Sequence, residues 1–260
     1  MATYDLSRIF PNCKGVFLYP PKDRTPKDFF RIAEKVYDDI KPNRMYKDIQ
    51  CWCVYTIRNE GTGYFGAAFL DLRMDIKSLS NPGFRPRVII AHRGTNLSEL
   101  KDLKNDFTIL KQEIPIQFMD ACMLMGRTFG YFRRRDLDVV HSGHSLGAAL
   151  AQMCAFKFNH KSIGFETPGT AGILYLIDPK KPINNDQYIS FTMEGSYISQ
   201  YLPHIGKVFI GKKQIYSSRE GSLLDVFDNI TLLHRMGNMK PFFNSDGNFI
   251  TNPKMLKIKR

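Results

Sequence analysis

The sequence predicts an α/β protein, with a mostly parallel central sheet flanked by helices and a single domain over residues 1–260. Three observations predict it. Short runs of β-branched and aliphatic residues alternate with stretches of helical periodicity, the pattern of βα units. One run, Val88-Ile89-Ile90-Ala91, is apolar on both faces, as a strand covered by helices on both sides must be. Another runs Val139-Val140-His141-Ser142-Gly143-His144-Ser145-Leu146-Gly147 and passes straight into the small-residue stretch Ala148–Phe156. That is strand, sharp turn, helix.

The elements follow in order. Thr25-Pro26 starts a helix, Thr as N-cap and Pro in the first turn. Phe29, Ile32, Ala33, Val36 and Ile40 recur at helical spacing up to Pro42. Residues 51–58 and 64–72 form a hairpin around Asn59-Glu60-Gly61-Thr62-Gly63. The strand at 88–91 leads to His92-Arg93-Gly94-Thr95. Asn96 then caps a helix over about 98–111, with Glu99 completing a capping box. A second helix covers 116–133. The strands 137–142, 162–166 and 189–192 follow, and 207–217 suggests a second hairpin around Gly211-Lys212-Lys213.

Composition bounds the function. At 260 residues, 43% hydrophobic and 13% aromatic, the chain buries a full core, with no linker or repeat to divide it. Five cysteines without paired spacing read as buried free thiols, which places the protein in an intracellular compartment. The N-terminus lacks the basic-then-apolar order of a signal peptide, and no stretch has the apolar length of a transmembrane helix. The net charge is +12, with runs such as Arg133-Arg134-Arg135 and the apolar-interleaved tail Lys254–Arg260. Such a balance suits peripheral contact with an anionic membrane surface, or an ordinary solvated basic face. No nucleic-acid motif accompanies it, so nucleic acid is not an expected partner. No phosphate-cradling loop or metal-ligand spacing is present, so no cofactor and no metal are expected.

The chemistry is carried by Gly143-His144-Ser145-Leu146-Gly147. Between a strand and a helix this pattern is the nucleophile elbow of α/β-hydrolases, which presents a serine hydroxyl at the tip of a sheet. Ser145 is the candidate nucleophile. The backbone N–H of Leu146, directly after it, is one candidate donor to a developing oxyanion. The chain order of this fold is Ser, acid, His, so the base lies downstream. The downstream histidines are His160, at the far end of the elbow helix and expected on the surface, His204 and His234. Upstream, His144 is expected to face the core and His92 to shape the loop after its strand.

With these segments in order, Arg93-Gly94-Thr95, then Asp102-Leu103-Lys104-Asn105-Asp106, the elbow, and Gly164-Phe165-Glu166-Thr167-Pro168-Gly169, the chain resembles the class 3 (fungal-type) triacylglycerol lipases over about residues 50–240. The resemblance implies an α/β-hydrolase cleaving lipid carboxylic esters. It implies Thr95 as the second oxyanion donor and His234 as the base, with His204 as the alternative. It places the triad acid just after the strand at 189–192. No Asp stands there. Aligned from the strand the position is Glu194, whereas aligned on the following Ile-Ser it is Ser196; Asp225 or Asp228 are spatial alternatives. The family Trp is Leu103 here. These departures keep open a second reading, a lipase-like protein that no longer catalyses and serves in binding, signalling or structure.

Overall fold

The computed structural model describes residues 3–4, 6–7, 9–10, 12–94, 112–194, 196, 199, 202–211 and 236–250. Its elements, in chain order, are β1 (Thr3–Tyr4), β2 (Val16–Phe17), α1 (Pro26–Lys35), β3 (Arg44–Tyr46), β4 (Cys51–Asn59), β5 (Tyr64–Asp71), β6 (Arg87–His92), α2 (Gln117–Phe132), β7 (Asp138–His144), α3 (Leu146–Phe158), β8 (Lys161–Phe165), α4 (Ala171–Ile177), β9 (Tyr188–Met193) and β10 (Lys207–Gly211). β3 to β10 form one eight-stranded sheet in sequential order. β3 to β6 pair antiparallel and β6 to β10 parallel. The result is the expected mixed, largely parallel sheet with helices on both faces.

Alternation along the strands builds two cores. On β6, Val88 and Ile90 face α2 and α3, against Leu124, Met125, Leu150 and Met153. Ile89 and Ala91 face the other way, against Phe29, Phe30, Ile32 and Ala33 of α1 and Phe242 and Phe243 of the C-terminal segment. Each such aliphatic or aromatic side chain contributes about 1.5–3 kcal/mol on burial. β5 lies between the layers and every one of its residues is buried.

Most local expectations hold. Thr25 caps α1: its hydroxyl accepts from Asp28 N–H, and the Asp28 carboxylate accepts from Thr25 N–H at 2.9 Å. Asn59 pairs with Tyr64 across the hairpin. All five cysteines are free thiols, four of them buried. No helix among the described residues is long and apolar enough to cross a membrane. Three features differ. α1 ends at Lys35, where Tyr37 and Asp38 tighten the last turn by bonding to Glu34 and Lys35; Val36 and Ile40 are still buried, but from the turn beyond. The edge strand β3 and the β1–β2 pair carry too few residues to show a period, and neither was expected. β10 pairs parallel to β9, and the return arm of the expected 207–217 hairpin lies outside the described residues, as does the expected helix at 98–111.

Candidate active site

β7 and α3 meet at Ser145, whose backbone is left-handed with φ 57° and ψ −127°. A side-chain-bearing residue in this region costs about 1–3 kcal/mol, so the surroundings must enforce it. They do so from three sides. Ser145 N–H donates to Phe165 O of β8 at 3.0 Å, and its carbonyl accepts from Ala148 and Ala149 as α3 begins. A Cβ on Gly143 would stand 2.3 Å from the Gly147 carbonyl, and one on Gly147 would stand 2.1 Å from His92 O. Both glycines are therefore required by close backbone approach, as the turn demands. Leu146 is the first residue of α3, so its N–H has no intrahelical acceptor and lies at the positive end of the helix dipole.

The end of β6 closes on this turn. A Cβ on Gly94 would lie 3.3 Å from Ser145 Cβ and 2.4 Å from His144 O, so the Gly94 backbone borders the nucleophile. Gly94 N–H donates to Tyr37 Oη at 3.1 Å, and the same hydroxyl meets His144 Nδ1 at 3.3 Å. Burial pushes the Tyr37 hydroxyl up to about 12, against the smaller pull of the Gly94 N–H, so it stays protonated. Tyr37 thus ties the end of α1 to the elbow and to the loop that leads to Thr95. Nothing in its sequence neighbourhood signals this. Thr95 itself lies outside the described residues.

The other expected site residues are placed as follows. His234, Asp225 and Asp228 lie outside the described residues. Glu194 is half-buried just past β9, its N–H donating to Gly211 O at 3.2 Å. Ser196 is buried, with its N–H on Met193 O. His204 Nε2 donates to the Ser199 carbonyl. Its pKa is lowered by burial, with that carbonyl and Glu166 pulling the other way. His144 faces α1 from a buried position, as expected.

His160 is a correction, since it is half-buried and its ring bonds inward to His141. Asn159 adopts a left-handed cap and His160 N–H returns to Ala155 O at 2.9 Å, which folds the ring back beneath the sheet. There it joins a chain that sequence spacing did not show. Tyr64 Oη meets His92 Nδ1 at 2.9 Å, His92 Nε2 meets His141 Nδ1 at 3.2 Å, and His141 Nε2 meets His160 Nδ1 at 3.2 Å. The rings are within 11° and 19° of coplanar, at centroid separations of 5.5 and 5.4 Å. Those separations nearly equal the N···N distance plus two ring radii, so successive rings meet edge to edge, nitrogen to nitrogen. His92, His141 and Cys154 also bring three metal-ligand atoms within 4.8 Å of one another. The facing nitrogens of His92 and His141 bond each other at 3.2 Å, so their lone pairs do not converge on an ion. The geometry fits a hydrogen-bonded chain better than a metal centre. Burial lowers His92 to about 3 and His160 to about 4, and holds His141 well below its ordinary value.

Glu166 was passed over as part of a loop motif. It directly follows β8, is fully buried, and has a left-handed φ of 49°. Its Oε1 accepts from Met193 N–H at 2.6 Å and its Oε2 from the Ser199 hydroxyl at 2.9 Å. The signal in the sequence was an acid directly after an apolar strand. Two clefts of about 410 and 420 Å³ lie elsewhere, around Arg73, Asp71 and Arg87 and around Asp28 and Gln50; neither includes Ser145.

No protein-family model matches the sequence, and no curated protein sequence matches it. Solved structures do. Lipase II from Rhizopus niveus superposes with a TM-score of 0.52 at 13% identity, covering 80% of this chain and 91% of that one. The lipase from Rhizopus microsporus var. chinensis gives 0.49 at 14% identity, covering 90% and 97%. A triacylglycerol lipase from Penicillium expansum gives 0.46 at 9% identity, covering 71% and 77%. The fold of this chain is the α/β-hydrolase fold of that fungal lipase, Lipase II from Rhizopus niveus.

Proposed function

We propose that this protein is a serine hydrolase that cleaves carboxylic esters of lipids through an acyl-Ser145 intermediate. The observation that carries the reading is the enforced left-handed Ser145 at the start of α3 with the Gly94 backbone against its Cβ. Strained backbone of this kind persists where the site requires it. In the proposed reaction His234 takes the Ser145 hydroxyl proton as Oγ attacks the ester carbonyl carbon. The N–H groups of Leu146 and Thr95 receive the developing oxyanion, each contributing about 3 kcal/mol to lowering the barrier. The proton passes to the departing alcohol, and water, deprotonated by the same base, then releases the acid. The carboxylate behind the base is proposed to be Glu194, just past the C-terminal end of β9. Lipid is the proposed substrate class because the motifs resemble those of lipases in order and a superposing structure is named as one. The +12 charge supports work at an anionic membrane surface, and the free thiols support a reducing, intracellular compartment.

The test is labelling by a fluorophosphonate probe alongside hydrolysis of a soluble short-chain ester. Wild type should be labelled at Ser145, and Ser145→Ala should fold normally while losing labelling and turnover by several orders of magnitude. Labelling at another serine, or activity retained in the alanine variant, contradicts the mechanism. A wild type that is neither labelled nor active would favour the second reading, a lipase-like binding protein. That reading is supported by the buried Ser196 at one alignment of the family's acid position.

A further inference from the structure

We infer that Cys122 and Cys154 are a redox-active thiol pair, which a hydroperoxide oxidises to a reversible disulfide joining α2 to α3. Three features converge on it. The first is juxtaposition. Cys122 lies on α2 and Cys154 on α3, two helices packed against each other on one face of the sheet. The two thiols meet there, Cys154 S–H donating to Cys122 Sγ. A ring nitrogen of each of His92 and His141 lies within 4.8 Å of Cys154 Sγ, so this thiol borders a polar group and not hydrocarbon alone. The second feature is exposure. Cys122 is the one cysteine of the five that is not buried, whereas Cys154 is fully buried beside it. A dithiol that reacts with an oxidant needs that asymmetry, with one sulfur open to attack and a resolving sulfur shielded next to it.

The third is the local charge. The Cys154 S–H bond to Cys122 holds the Cys122 thiol below its ordinary range; partial burial opposes this, and the Lys157 ammonium, one turn past Cys154 on α3, adds to it. Burial pushes the Cys154 and Cys53 thiols up, and Cys51 up to about 12, so these stay protonated. Cys122 is therefore the attacking sulfur. It attacks one oxygen of the hydroperoxide: the S–O bond forms, the O–O bond breaks, and the departing alkoxide takes a proton from water to leave as the alcohol. Cys122 is then a sulfenic acid, oxidised by two electrons. The Cys154 sulfur attacks that sulfur in turn. The S–S bond forms, the S–O bond breaks, and the hydroxide leaves with the Cys154 proton as water. In sum, two thiols and one hydroperoxide give a disulfide, an alcohol and a water. A thiol reductant reverses the bond through a mixed disulfide, as a reducing compartment requires.

The test uses the full chain, reduced, freed of reductant and treated with graded hydrogen peroxide. Remaining thiols are alkylated under denaturing conditions, and the peptides are mapped by mass spectrometry. Wild type should yield a Cys122–Cys154 cross-linked peptide, two hydrogens lighter than its parts, which dithiothreitol returns to free thiols. Before oxidation, Cys122 in the native protein should react with iodoacetamide at least about 10-fold faster than Cys51. Cys154→Ala should stop the reaction at a Cys122 sulfenic acid that dimedone captures. Cys122→Ser should leave Cys154 reduced at peroxide levels that oxidise wild type. Cys122→Ser alters a partly exposed side chain, so it keeps the fold even where the core variant Cys154→Ala does not, and thermal melting in reductant verifies both. Oxidation that begins at Cys13, Cys51 or Cys53 overturns the inference. So does a Cys122 that passes to sulfinic acid without cross-linking, or a Cys154 that oxidises equally in Cys122→Ser. None of these readouts uses ester hydrolysis, so the result stands apart from the serine-hydrolase reading.

Discussion

Lowering the pH should destabilise this protein well before its carboxylates protonate, and the cause is the His92–His141–His160 chain. In the folded state burial holds the three rings neutral, His92 at about 3, His160 at about 4 and His141 well below its ordinary value. In the unfolded chain each titrates near 6.5. A base with a depressed folded pKa supports folding fully above the unfolded value. The support is lost as pH falls from there toward the folded one, because the unfolded state binds the extra protons. At pH 5 each fully buried ring then costs about 2 kcal/mol relative to pH 7.5. His92 and His141 together remove about 4 kcal/mol, and the partly exposed His160 adds less. A domain has only about 5–15 kcal/mol in total, so the loss is large. The Asp28 carboxyl does not confuse the reading. Burial pushes it up, but the Arg73 guanidinium and the Thr25 N–H outweigh that and hold it at about 2, so its own contribution is lost only below about pH 4. Urea unfolding at half-unit steps from pH 7.5 to 5 measures the slope. About two or more protons should be taken up on unfolding near pH 5.5. His141→Gln, which interrupts the chain between its neighbours, should reduce that uptake by about one. A stability curve flat from pH 7.5 to 5 would refute the picture of a neutral chain closed to water.

Other perturbations address the site and its support. Tyr37→Phe removes the acceptor of Gly94 N–H and the partner of His144, and should lower kcat by about 10- to 100-fold with modest loss of melting temperature, seen in ester turnover. Gly143→Ala places a Cβ against the Gly147 backbone, which cannot yield, and should cost about 3 kcal/mol or more in denaturant unfolding. Arg24→Met leaves Asp71 buried without the guanidinium that holds both its oxygens at 2.8 and 2.7 Å, and should cost about 3–5 kcal/mol; Arg24→Met combined with Asp71→Leu should recover most of it. Vesicles containing phosphatidylserine should bind the protein more than neutral vesicles do, with binding weakened by physiological salt, where the screening length is about 8 Å; equal binding would leave the +12 charge as a solvated surface.

Features carried by short-range physics were legible without the fold. The hairpin over Asn59–Gly63 follows from turn chemistry between two apolar runs, and the Thr25 cap from a hydroxyl and a carboxylate three residues apart. The elbow is legible because Gly143, Ser145 and Gly147 encode a backbone path that few other residues allow. Strand existence in β6, β7, β8 and β9 follows from apolar runs that need cover on both faces. What escaped depends on partners far apart in the chain. Tyr37 and His144 stand 107 residues apart, and His92 and His141 stand 49 apart, so no spacing rule joins them. The histidine chain forms because adjacent parallel strands place His92 and His141 on the same face, and a left-handed cap turns His160 back beneath them. Glu166 was hidden for a related reason. Its side chain starts from the end of β8 and reaches the Met193 N–H at the end of β9, a contact between neighbouring strands where the sequence shows only the order of residues.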